Sequence, residues 1–238
     1  KEQPTTMIYI WHKHPATPNE AKGNMGYLVQ NYLLSMISNM MHARLEELRQ
    51  GANPPFIQAA SGNNDFLLAK TTEAFVGMAM SKDDGIPTAL AAIVREIERA
   101  RKFGFTASEY SRAKADYLRG LESAYNERDK MKNNEYVQEY VRHFIDNEPI
   151  PGIETEYALM NQLAPNIPVE AINMILPQLI KDENIVINIF GPDKEGMVYP
   201  TEAEILDILK KTKAEEITAY VDKVSDEPLM KETPKAGK

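Results

Sequence analysis

The chain of 238 residues is long enough to bury a substantial core, arranged as one large domain or two small ones. Its 27 basic residues are scattered among 35 acidic ones for a net charge of -8, and no apolar run approaches the ~20 residues that span a bilayer, so neither nucleic acid nor a membrane is an expected partner. The absence of cysteine excludes disulfides and thiolate metal sites and leaves the compartment open.

Strand-forming residues alternate over 5–14, "TTMIYIWHKH", and Pro15 and Pro18 close the run. From Tyr27 to Arg49 the apolar positions Val29, Leu33, Met36, Ile37, Met40, Met41, Leu45 and Leu48 recur at helical spacing, with Gly51 and Pro54 as stop signals. Residues 56–81 read as two antiparallel strands broken by a turn at Gly62-Asn63-Asn64-Asp65. A second amphipathic helix opens near Pro87, buries Leu90, Ile93, Val94 and Ile97 on one face, and ends at Gly104.

Thr106 and Glu109 form a capping box that starts a third helix. Its pattern weakens around Lys132-Asn133-Asn134, where an asparagine can cap a fresh helix through Phe144, so the spacing predicts a break instead of one long rod. Two more helices are expected over 154–164 and 168–181, then a buried strand over 184–192 and two short helices within 202–222. The expected organisation is a single α+β domain over 1–192, a C-terminal helical extension of it over 193–224 and a linker over 225–238. The fold class is α+β, an antiparallel-dominated sheet with helices packed on one face.

A catalytic zinc needs three protein ligands and an open position for water, and without cysteine these must be His, Asp or Glu. Of the four histidines, His12, His14, His42 and His143, none begins H-E-x-x-H or H-x-x-E-H. His42 and Glu46 share a helix face but lack a third partner, and a solvated helical pair explains them better. His12 and His14 point to one face of their strand, again with no third ligand indicated. No nucleophile elbow and no glycine-rich phosphate loop occurs. The expectation is no catalytic residue, no metal ligand and no cofactor in this chain.

The order of elements and the phrases "RLEELRQ" (44–50), "KFGFTASEYSRAKADYL" (102–118), "ESAYNERDKMKNNEYV" (122–137), "IPGIETEYALMNQL" (150–163) and "NIVINIFGP" (184–192) resemble a non-catalytic domain of the pitrilysin/insulinase family of zinc peptidases. The resemblance implies the metallohydrolase-type fold of that family, whose similar α+β domains pair into halves that close on a peptide-sized chamber, with zinc on an H-x-x-E-H helix of one domain. In active members another domain sends an Arg, and seven residues later a Tyr, towards the substrate. Arg49 matches the arginine, while Phe56 stands at the tyrosine position without the hydroxyl that would hydrogen-bond a developing oxyanion.

That departure implies the second domain of a four-domain chain, with Arg49 and Phe56 as substrate-chamber residues and Zn held in the catalytic domain of the parent. The start at Lys1 and the exit through Pro234 and Gly237 fit a segment cut at domain borders. The implied function is a non-catalytic, chamber-forming part of a zinc-dependent peptidase, with other domains of the same peptidase and the peptide substrate as partners. A periplasmic location follows from the resemblance, a cytoplasmic one otherwise. The alternative is a non-peptidase scaffold or core subunit that uses the same fold for assembly.

Overall fold

The computed structural model describes residues 4–223, apart from the side chain of Glu135. Four strands, β1 (Thr6–Pro15), β2 (Gln58–Asp65), β3 (Thr72–Ser81) and β4 (Ile185–Phe190), form one sheet in the order β2-β3-β1-β4, with every neighbouring pair antiparallel. Ile10 of β1 faces Gly77 on one side and Ile187 on the other. The strand period of two sends Ile8, Ile10 and His12 into the helical layer and leaves Tyr9 and Trp11 on the opposite face.

Helices cover one face of this sheet, as the α+β reading expected. After the short α1 (Asn19–Lys22), the long α2 (Met25–Gln50) lies across β2 and α3 (Ile86–Phe103) lies across β3 and β1. Met36, Ile37, Met40, Met41 and Leu45 of α2 meet Leu90, Ile93, Val94 and Ile97 of α3 and the rings of Phe56 and Phe75 in one core. Each such side chain contributes about 1.5–3 kcal/mol by leaving water. Close approach requires missing side chains at two places. A Cβ at Gly77 would lie 2.6 Å from Ile97 of α3, and one at Gly62 would lie 2.6 Å from Ser38 of α2.

Around this core stand α4 (Ala107–Asn126), α5 (Asn133–Asp146), α6 (Ile153–Leu163), α7 (Val169–Asn173), α8 (Leu176–Leu179) and α9 (Glu202–Ala214). Of these, α4 packs on α2 and α6, and α9 packs on α3. The Thr106–Glu109 capping box opens α4 as expected. The expected break after it is present, with a 3-10 turn at Arg128–Lys130. Lys132, not an asparagine, occupies the cap position of α5, without a side-chain cap bond.

Four boundaries differ from the sequence reading. The turn expected at 62–65 lies instead at 66–71, because β2 runs through Asp65 and Gly62 serves the contact with α2. The helix expected over 168–181 is divided into α7 and α8, since Pro177 has no N–H to donate to the carbonyl one turn back. The strand expected to be buried over 184–192 is the half-buried edge strand β4. Of the two helices expected in 202–222 only α9 forms; residues 215–223 run irregularly over α3, α2 and α4, tied by Arg95 to Glu215, by the Arg99 guanidinium to the Thr218 carbonyl at 3.0 Å and by the Tyr220 hydroxyl to Glu47 at 2.8 Å. The expected linker over 225–238 lies outside the described residues.

Candidate functional site

The helix that raised the metal question is α2. Asn24 caps it by accepting the Tyr27 N–H at 3.2 Å, and its buried stripe leaves His42 exposed on the outer side with Glu46. Arg49 grips the Glu46 carboxylate through Nε at 2.7 Å and through Nη2, and Gln50 donates to it at 2.8 Å. The Arg49 hydrogen bond holds that carboxyl down to about 2.

The remaining histidines are engaged elsewhere. His12 is buried in the helical layer with Nδ1 2.9 Å from the Lys181 carbonyl, and burial lowers its pKa. His14 places Nε2 2.7 Å from Asn63 Oδ1, and His143 places Nδ1 2.6 Å from the Glu148 carbonyl. Among the described residues no three His, Asp or Glu come together at metal-binding distance. These donors do not fit a catalytic zinc: His12 and His14 share β1 but are bonded to the Lys181 carbonyl and to Asn63, His42 and His143 lie apart on α2 and α5, and Glu46 is committed to Arg49 and Gln50.

The strongest polar constellation is centred instead on Arg44, one helical position from the core stripe of α2 and 2% exposed. Its Nε and Nη2 donate to Glu109 at 2.6 and 2.9 Å, Nη2 also to the Gly104 carbonyl at 3.0 Å, and Nη1 to Glu96 at 3.4 Å. Phe105 and Tyr220 lie over the guanidinium at 4.6 and 4.5 Å. Glu96 also receives Arg99, and burial raises its carboxyl against the pull of Arg99 and Arg44. The ion cluster thus ties α2, α3 and the start of α4 together.

Beside it opens a cleft of about 420 Å³ lined by His42, Arg44, Glu109, Arg112, Tyr117 and Tyr220, among others. Its charged groups are engaged with partners, Arg44 with Glu109 and Arg112 with Asp222 at 2.8 Å. The chemistry on offer is charge pairing and packing. Arg44, Glu96 and Glu109 were not singled out as a unit from sequence, although a charged residue beside the apolar stripe of α2 and Glu96 between Val94 and Ile97 were the visible signals.

The two chamber candidates are not brought together. Arg49 sits exposed on the last turn of α2, whereas the Phe56 ring is 0% exposed in the core just before β2. Phe56 therefore presents no surface to a ligand within this chain.

No family model matches the chain. A zinc protease PQQL-like protein of Arabidopsis thaliana is 31% identical to it over 102 residues, which are 43% of this chain and 11% of that protein. The periplasmic protease PqqL of Escherichia coli superposes on 96% of this chain and 25% of its own, with a TM-score of 0.79 at 18% identity. The separately solved first half of PqqL covers 92% of this chain and 46% of its own, with a TM-score of 0.77 at 18% identity. A predicted insulinase family protease of Yersinia pestis covers 90% of this chain and 45% of its own, at 0.74 and 11% identity. The chain thus spans about a quarter of PqqL and a smaller part of the Arabidopsis protein. The chain therefore has the fold of a domain of these proteases, which is the fold implied by the resemblance of its quoted phrases.

Proposed function

We propose that this chain is a non-catalytic, chamber-forming domain of a zinc-dependent peptidase, the second of four domains, which helps to enclose a peptide substrate and packs against other domains of the same polypeptide. The observation that carries this reading is the agreement of nearly the whole chain with one quarter of PqqL and with about half of its separately solved first half, joined to a helix α2 on which Glu46 is held by Arg49 and Gln50. Zinc would belong to another domain, where it would activate water for peptide hydrolysis. The substrate side of this domain would shape the wall, with Arg49 at its rim and Phe56 supporting the wall from within. The periplasmic location of PqqL supports the same compartment here.

The test is peptide cleavage by the longer polypeptide that carries this chain. The reading expects cleavage that a chelator stops, and none by residues 1–238 alone. Chelator-resistant cleavage by residues 1–238 would overturn it, and a longer polypeptide that cleaves no peptide would turn the assignment to the scaffold alternative.

A further inference from the structure

Helix α5 is turned inside out. Tyr136, Val137, Tyr140, Val141, Phe144 and Ile145 follow the spacing i, i+1, i+4, i+5, i+8, i+9, which makes one continuous apolar stripe. An ordinary surface helix turns such a stripe to the core. Here the six side chains are 38% to 90% exposed, Phe144 most of all, and none belongs to the core formed by the described residues.

The inward side of α5 is polar. Glu139 and Arg142 line a cleft with Tyr27, Tyr117, Glu148 and Glu156. Arg142 Nε lies 3.3 Å from Glu148, Lys70 reaches the Asp146 carboxylate at 2.9 Å and Lys22 donates to the Asp146 carbonyl at 2.9 Å. Polar contacts on this side hold the helix in the orientation that presents its apolar stripe outward.

We propose that the outward face of α5 is a docking surface for a neighbouring domain of the same polypeptide, an inference that rests on the reading above. At ~150–250 Å² per large side chain and the exposures seen, the stripe offers on the order of 600 Å². That falls short of the ~800 Å² per partner of a free-standing complex. It is of the size of the contacts, upward of roughly 600 Å², that join domains within a chain. A tethered partner needs less area, because the linker keeps its local concentration high. A polypeptide of PqqL's proportions has three quarters of its length beyond the part this chain covers to supply that partner. The partner surface is an apolar recess that receives Phe144, free of unpaired charge.

The absence of cysteine in this chain makes the test direct. In a cysteine-free version of the longer polypeptide, Tyr140→Cys, Phe144→Cys and, as an exposed control, Leu68→Cys are alkylated in separate preparations. The proposal expects the thiols at 140 and 144 to react about a hundredfold more slowly than the one at 68 in the native protein, and all three alike in denaturant. Native reaction at 140 and 144 as fast as at 68 overturns it. Protection that disappears on dilution assigns the face to a second copy, and protection that requires lipid vesicles assigns it to a membrane surface; either result also overturns it. Chelator-sensitive peptide cleavage, measured on the same preparations, reports separately on the peptidase reading.

Discussion

Replacing Arg44 by Met removes the cation from the buried cluster while keeping a side chain of similar reach between Phe105 and Tyr220. Glu109 then loses donors at 2.6 and 2.9 Å, Glu96 loses one at 3.4 Å and the Gly104 carbonyl loses one at 3.0 Å. Breaking a buried ion pair from one side costs about 3–5 kcal/mol, because the stranded charge is not rehydrated. The remaining bonds temper the loss: Glu96 keeps Arg99, and Glu109 keeps the Thr106 N–H of its capping box at 2.8 Å and the Thr106 hydroxyl at 3.0 Å. The lower end, about 3 kcal/mol, is therefore expected, or a fall in melting temperature of roughly 6–12 °C for a chain of this size. Urea unfolding followed through Trp11, the single tryptophan and largely buried, measures it.

The pH dependence gives the sign. Burial already raises the Glu96 carboxyl, and losing Arg44 raises it further, so the folded variant takes up the proton before the unfolded chain does. The gap between Arg44→Met and the parent sequence should narrow as pH falls from about 8 to about 5. A loss below about 1 kcal/mol, or a gap that widens on acidification, would refute the argument that the cluster is an electrostatic clamp.

His12 supplies a second pH test. Burial lowers its folded pKa, so on acidification below about 6.5 the unfolded chain takes the proton first and stability declines; His12→Gln should flatten that decline in urea titrations across this range. An unchanged slope would place the decline elsewhere. Phe56→Ala should cost about 3–5 kcal/mol, given a ring with no exposed surface. Phe56→Tyr should cost about 1–3 kcal/mol for an unpartnered hydroxyl, and equal melting of both variants with the parent sequence would show that the ring is not in the core.

The elements with strong periodicity were legible in the sequence: β1, α2, α3 and the capped start of α4 follow from alternation, apolar stripes and Thr106–Glu109. Gly62 misled because a glycine with two asparagines and an aspartate carries turn chemistry, whereas its role depends on Ser38 of a helix distant in sequence. The Arg44 cluster was hidden for the same reason. Its carboxylates come 52 and 65 residues later, and only tertiary packing aligns them. On α5 the apolar stripe was visible, but a stripe does not announce which side faces the core. Arg49 and Phe56 came through resemblance, and their local pattern says nothing of the separation between an exposed guanidinium and a buried ring.

The central claim is that this domain shapes a peptidase without taking part in the bond-breaking step. Its most direct test is kcat and KM for Arg49→Ala in the longer polypeptide, with melting recorded alongside. Arg49 is exposed and pairs with its neighbour Glu46, so the account predicts unchanged melting and a kcat within about twofold of the parent, any effect falling on KM. A fall in kcat of about a hundredfold or more, with melting and KM preserved, would mean that Arg49 reaches the reacting substrate, and would contradict the account.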